Sequence, residues 1–176
     1  GGARSRDLVY EGPVDTVYLG SWPRATLARF GGFDETLVRN QDDEHNLRLT
    51  KGGARVWQSA RIQSSYQPRG SIAQLFRQQR QYGYWKPFVM KKHGQSASIR
   101  HLVPGAFVAA LFLLTLQAAV TAGLGVHLAW LPWAALVALY GGFVLTVSVL
   151  IAADAGWSLL PLLPLVIGAY HVGYGL

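Results

Sequence analysis

Hydrophobic positions follow two regimes along this chain. Up to about residue 100 they alternate with polar and charged side chains, and beyond it they run almost unbroken. Residues 102–125 carry no charge, enough for one helix to cross about 30 Å of hydrocarbon. Residues 130–153 form a second such run, closed by Asp154-Ala155-Gly156. Residues 157–176 form a third, interrupted by Pro161 and Pro164. The pattern predicts about three transmembrane helices. The alternative, buried core helices of a soluble protein, would need a large polar shell that this chain does not supply. Trp130, Trp133 and Trp157 fall near the predicted ends, where indole rings favour the interface. His127 and His171 are lone histidines in apolar surroundings and read as interfacial or packed side chains.

The first seventy residues have a different periodicity. Val14, Val17, Tyr18 and Leu19 suit a short strand. Ser21 is placed as an N-cap, with Pro23 in the first turn of a helix to about Phe30 that Gly31-Gly32 stops. A second helix is expected over 43–50, ended by Gly52-Gly53, and "ARVWQSA" at 54–60 reads as a strand. Alternating strands and helices indicate an α/β domain. About seventy residues are too few to cover both faces of a parallel sheet. The chain also begins Gly-Gly without an initiator Met, so it reads as starting inside a larger protein.

Between these regimes lies an amphipathic stretch. Ile72, Leu75, Phe76 and Tyr82 recur at helical spacing and interleave with Arg77, Arg80 and Lys86, until Pro87 is expected to interrupt the run. A basic amphipathic helix next to an apolar span fits an anionic membrane surface. The competing reading is a packed helix with a solvated basic face. The resulting division is 1–70, 71–100 and 101–176, with spans near 102–125, 130–153 and 157–176.

Charge sharpens this division. All 16 Lys and Arg lie at or before Arg100, as do eight of the nine acids, and the net charge is +7. Lys91, Lys92 and Arg100 precede the first span, and no basic residue follows it in the 125–130 loop. The positive-inside bias therefore puts the polar half in the cytoplasm. The absence of cysteine excludes disulfides and thiolate metal sites. A basic, aromatic segment at 77–92 satisfies the electrostatics of nucleic-acid binding, but such helices are commoner at membranes, and no nucleic-acid partner is expected.

The candidate chemistry is acidic. "RNQDDEHNLRL" at 39–49 sets Asp42, Asp43 and Glu44 at a helix start, where the dipole and free N–H groups favour carboxylates. Glu44 and Arg48, four apart, make an ordinary helix pair of about 0.3 kcal/mol. An ionised Asp in such a place is equally suited to take a proton from a hydroxyl.

"GGFDE" at 31–35, "QDDEHNLRL" at 41–49 and "RQYGYW" at 80–85, in that order and followed by apolar spans, resemble the carboxy-terminal part of a family-two glycosyltransferase. The resemblance is to the membrane-bound, exopolysaccharide, succinoglycan-biosynthesis-like type. It implies the carboxy-terminal part of a nucleotide-diphospho-sugar transferase (GT-A-like) fold, followed by an interfacial helix and membrane spans. In that family the second motif is E-D-x-[DE]-L-x-x-R-L, and its Asp is the base, a role that falls here on Asp42. Gln41 replaces the family Glu and is expected to position Asp42 by a hydrogen bond, and His45 replaces Leu. The family's Q-x-x-R-W motif matches at Gln81 and Trp85, whereas Tyr84 stands in place of Arg, with Arg77 or Arg80 as substitutes.

The resemblance further implies inverting hexosyl transfer from a nucleotide-diphosphate sugar to a lipid-linked or saccharide acceptor, at the cytoplasmic face of a bacterial inner membrane. Gly32, Phe33 and Asp34 would shape the acceptor side, joined by Asp43, Gln81 and Trp85. A divalent ion, Mg²⁺ or Mn²⁺, is implied, with its ligands mostly in an amino-terminal half carrying Asp-x-Asp. That pattern does not occur in this chain, and no metal ligand is assigned in it. The chain by itself is expected to be inactive. The alternative function is a non-catalytic membrane-anchoring or assembly module of a polysaccharide synthesis complex.

Overall fold

Residues 7–17, 19–94, 102–126 and 128–176 are described by a computed structural model. Among them are six helices and two very short strands: β1 Gly12–Pro13, α1 Arg24–Phe30, α2 Gln41–Lys51, β2 Trp57–Gln58, α3 Ile72–His93, α4 Val103–Gly123, α5 Leu131–Ala155 and α6 Leu163–Gly175. They fall into two compact units. One comprises described residues within 7–68 and 85–94, the other those within 69–84 and 102–176, so α3 supplies its second half to the former and its first half to the latter.

In the polar unit the sheet is one antiparallel pair, Gly12 opposite Gln58 and Pro13 opposite Trp57. β2 falls within the stretch expected to be a strand. β1 lies just before the other expected strand, because Pro13 ends the ladder there and Val14 adds only one further bond, N–H to the Val56 carbonyl. Tyr18 of that expected strand, and Arg100 and His127, lie outside the described residues. Helix α1 is not capped by Ser21: the chain enters it through Pro23, whose carbonyl accepts from the Thr26 and Leu27 amides. Helix α2 begins two residues earlier than expected. Asn40, in the left-handed conformation that Asn tolerates, precedes it, so Asp42 and Asp43 are first-turn residues and not caps. Its far end closes where expected. Gly53, at φ 84°, turns the chain so that the Ala54 amide reaches the Leu49 carbonyl. Leu37, Leu49, Val56 and Val89 are the buried apolar side chains of this unit.

Helix α3 runs through Pro87 instead of stopping there. Proline costs the helix one hydrogen bond. Beyond it, Val89 is buried, Lys92 is ion-paired within the polar unit, and Lys51 Nζ donates to the His93 carbonyl at 2.7 Å. These contacts hold the turns past the proline in helical register.

In the apolar unit, α4 and α5 have 21 and 25 residues, about 32 and 38 Å of helix, and are long and apolar enough to cross a membrane. They expose most of their apolar side chains. The third expected span differs. Trp157–Leu159 is a 3₁₀ turn and α6 has 13 residues, about 20 Å, because Pro161 and Pro164 fit only a turn and a helix start. Helix α6 packs on both α4 and α5. Trp133 Nε1 donates to Thr115 Oγ1 at 3.0 Å, and Gln117 donates to the Ala129 carbonyl at 2.8 Å. His171 is a packed histidine, half-buried with Nδ1 3.3 Å from the Tyr140 hydroxyl.

The first half of α3 also packs on α6, and backbone meets backbone there. A Cβ on Gly83 would lie 2.0 Å from the Tyr174 carbonyl oxygen, and one on Gly173 2.9 Å from that of Phe76. The inward side of α3 is therefore taken up by protein, while Arg77, Arg80 and Tyr84 face outward. Gly83→Ala should lower the melting temperature of the detergent-solubilised protein, since the contact is with rigid backbone and overpacking costs about 1–3 kcal/mol. Gly141→Ala in α5, which meets nothing within 4 Å, should be neutral or stabilising. A tolerated Gly83→Ala would refute the contact.

Candidate functional site

The candidate residues of the polar unit gather where α2, the turn after α1 and the end of α3 meet. Helix α2 carries three consecutive acids, and helical geometry sends them in different directions. Asp42 points to solvent, and no hydrogen bond or ion pair reaches its carboxylate among the described residues. Asp43 is half-buried and paired with Lys86 at 2.9 Å. Glu44 is 0% exposed.

Glu44 is the centre of the arrangement. Its carboxylate accepts from Arg48 Nε at 3.2 Å and Nη2 at 3.0 Å, and from Lys92 Nζ at 3.0 Å. His93 Nε2 lies 2.9 Å from the same Oε1 that Lys92 binds. Burial pushes the Glu44 carboxyl up, but the bonds from Arg48, Lys92 and His93 outweigh it and hold the group below its ordinary value. The exposed-pair estimate for Glu44–Arg48 therefore does not apply. A desolvated carboxylate with several cationic partners costs much more to break than a surface pair.

Arg48 and Lys92 extend from Glu44 to the turn after α1. Arg48 Nη1 donates to the Phe30 carbonyl and Nη2 to the Gly32 carbonyl at 2.7 Å. Lys92 Nζ binds Asp34 Oδ2 at 2.7 Å. Asp34 Oδ1 accepts from the Thr36 amide at 2.9 Å and hydroxyl at 2.6 Å, closing a local turn. Asp34 is thereby held well below the usual carboxylate range, first by Lys92 and then by Thr36. Burial lowers the Lys92 ammonium, but Asp34 and Glu44 raise it above its ordinary value.

An open cavity of about 670 Å³ is lined by Asp34, Thr36, Leu37, Trp85, Phe88, Lys91 and Lys92. The Trp85 and Phe88 rings meet at 5.3 Å, giving it an aromatic wall. Beside the turn, Phe33 remains 43% exposed and packs on Trp22, with centroids 5.2 Å apart and planes at 86°. His45 completes this aromatic group at 5.3 Å from Trp22 and 4.9 Å from Phe33. It is 0% exposed, with Nδ1 3.1 Å from Arg48 Nη2. Its Nε2 is buried without a partner among the described residues. Burial, then Arg48, lowers the His45 pKa and keeps the ring neutral.

Of the residues singled out by sequence, Gly32, Phe33, Asp34, Asp42, Asp43 and Trp85 belong to this unit. Gln81 belongs to the other one. Gln41 does not hold Asp42: its side-chain amide donates to the Leu37 carbonyl, because at the head of α2 it faces the preceding turn. Lys86, Lys92 and His93 were not legible in sequence as site residues, for they meet α2 and its turn across separations of 43 to 58 residues. No group of three or more His, Cys, Asp or Glu able to hold a metal occurs among the described residues.

The shifted groups define a pH window. Asp34 and Glu44 have lowered folded values, so their contribution is present above the unfolded carboxyl values of about 4 and is lost as pH falls through the folded ones. Lys92 is raised, so its contribution is present below about 10.5 and is lost as pH rises through the folded value. His45 is lowered as well, so its contribution is present above about pH 6.5 and is lost as pH falls below that. Thermal stability of the polar unit, followed by tryptophan fluorescence, should be level between about pH 7 and 10 and fall on either side. Stabilisation on acidification below about pH 4 would contradict this arrangement.

Comparison with known proteins finds a relative of related sequence. Succinoglycan biosynthesis protein ExoA of Rhizobium meliloti (strain 1021) is 34% identical over 74 residues, covering 42% of this chain and 22% of that protein. The matched stretch thus spans about a fifth of that protein's length. No protein-family model matches the chain. No solved structure matches it significantly.

Proposed function

We propose that this chain is part of an inverting glycosyltransferase of exopolysaccharide synthesis, the acceptor-side portion of a GT-A-like domain followed by membrane helices. The similarity to a succinoglycan biosynthesis protein carries this reading. The order of the three motifs supports it, as do two helices long enough to cross a membrane.

The chemistry falls on Asp42. Asp43 and Glu44 are consumed by ion pairs and Asp34 by Lys92 and Thr36, which leaves Asp42 as the exposed, unpaired carboxylate of the acidic turn among the described residues. Its carboxylate takes the proton of the acceptor hydroxyl. The freed oxygen attacks the anomeric carbon opposite the diphosphate, the carbon–oxygen bond to the diphosphate breaks, and configuration inverts. No step here runs through a metal ion. The aromatic wall of Trp85 and Phe88, with the polar atoms of Asp34 and Thr36, suits a saccharide acceptor: apolar ring faces stack on the indole and hydroxyls meet the polar rim. A lipid-linked acceptor would be delivered at the cytoplasmic face of the inner membrane, the side to which Lys91 and Lys92 assign the polar unit.

The exposed apolar surface of α4 and α5 also suits a second reading as an anchoring or assembly module. Asp42→Asn in the product of the whole source gene separates the two. For an enzyme, sugar transfer in isolated membranes should drop about 10²–10⁴-fold with membrane insertion unchanged. Undiminished transfer or polymer output would remove Asp42 from the chemistry.

A further inference from the structure

The structure assigns to Glu44 a role as a positioning residue for the acceptor side: buried away from the cavity, it acts through Lys92 and Arg48 to fix the Phe30–Asp34 turn. This inference rests on the transferase reading and names a determinant of its acceptor binding.

The geometry is that of a single carboxylate governing both ends of one turn. Glu44 is absent from the cavity lining, whereas Asp34, Thr36 and Lys92 line it. From Glu44, Arg48 passes to the two backbone carbonyls at the start of the turn, those of Phe30 and Gly32. Lys92 passes from Glu44 to the carboxylate at the end of the turn, that of Asp34. Gly31, at φ 82°, and Gly32 leave this turn little conformational preference of its own, since glycine visits many backbone states. Phe33, between the two anchored ends, contributes its exposed ring. The position of Asp34 at the cavity is therefore set by a charge that never touches the ligand.

Charge balance supports the assignment. Arg48 and Lys92 supply two positive charges, and Glu44 and Asp34 two negative ones. Without the Glu44 charge, Lys92 keeps only Asp34 as a charged partner, while Arg48 keeps only carbonyls and the His45 ring. The turn then gains freedom at both ends at once. A side chain that merely held α2 to α3 would give a different kinetic result, because Asp43–Lys86 makes that connection independently.

The test is a double-mutant cycle in the product of the whole source gene, assayed in membranes for sugar transfer. Glu44→Gln and Lys92→Met should each raise the acceptor KM about tenfold, with the donor KM unchanged and kcat within about threefold. The double variant should be no worse than about the stronger single, since both remove one connection. Lys92→Arg should restore the acceptor KM to within about threefold of the original. Acceptor KM values within about twofold of the unsubstituted protein overturn the proposal, as do effects that multiply in the double variant. If Glu44→Gln fails to accumulate, the two substitutions of Lys92, which is 42% exposed, decide the question. Absence of transfer by the unsubstituted protein overturns the transferase reading and this inference with it. Transfer with unmoved acceptor KM values overturns this inference alone.

Discussion

A carboxylate taken out of water is the constraint on which the polar unit depends. Glu44 has no solvent contact, and a buried ion must be met by charge and hydrogen bonds or neutralised by a proton. Here it is met by Arg48 from its own helix and by Lys92 and His93 from the end of α3. With Leu37, Leu49, Val56 and Val89 as its buried apolar side chains, the unit has little hydrophobic burial to define its geometry. Directional charge contacts do much of that work. They explain why α3 continues past Pro87 and why the Gly31-Gly32 turn has one shape.

The same constraint divides labour among acids that look alike in sequence. Once Glu44 and Asp43 are committed to Arg48, Lys92 and Lys86, they are structural anions. Asp34 is committed to Lys92 and to its own turn. Asp42 alone among the three acids of α2 keeps its carboxylate in water, in the first turn of the helix. His45 follows a related logic. A histidine in a position where the related motif has Leu is accommodated as a buried ring among Trp22 and Phe33, with Nδ1 3.1 Å from Arg48 Nη2.

The apolar unit obeys different rules. Helices α4 and α5 turn most of their apolar side chains outward and are long and apolar enough to cross a membrane. Between α3 and α6 the contact is made by glycine and backbone carbonyls, close packing in place of hydrophobic burial. The inward side of the first half of α3 is filled by this contact, which leaves its basic residues on the outer face.

What the sequence determined by itself is local or one-dimensional. The two long apolar helices follow from runs without charge, the end of α2 from Gly52-Gly53, and the acidic first turn from three adjacent letters. These depend on neighbours within about one helical turn or on a bulk property of a segment. Other features depended on the fold. Ser21 was passed over as a cap, Gln41 turned to Leu37 and not to Asp42, Pro87 failed to end a helix, and the third apolar run became a 3₁₀ turn and a short helix. The standing of Glu44 changed most, from half of a surface pair to a buried hub, because its further partners lie 48 and 49 residues away. Local sequence fixes which groups are charged. Only tertiary structure decides which of them lose water, and desolvation is what converts a weak ion pair into a structural constraint.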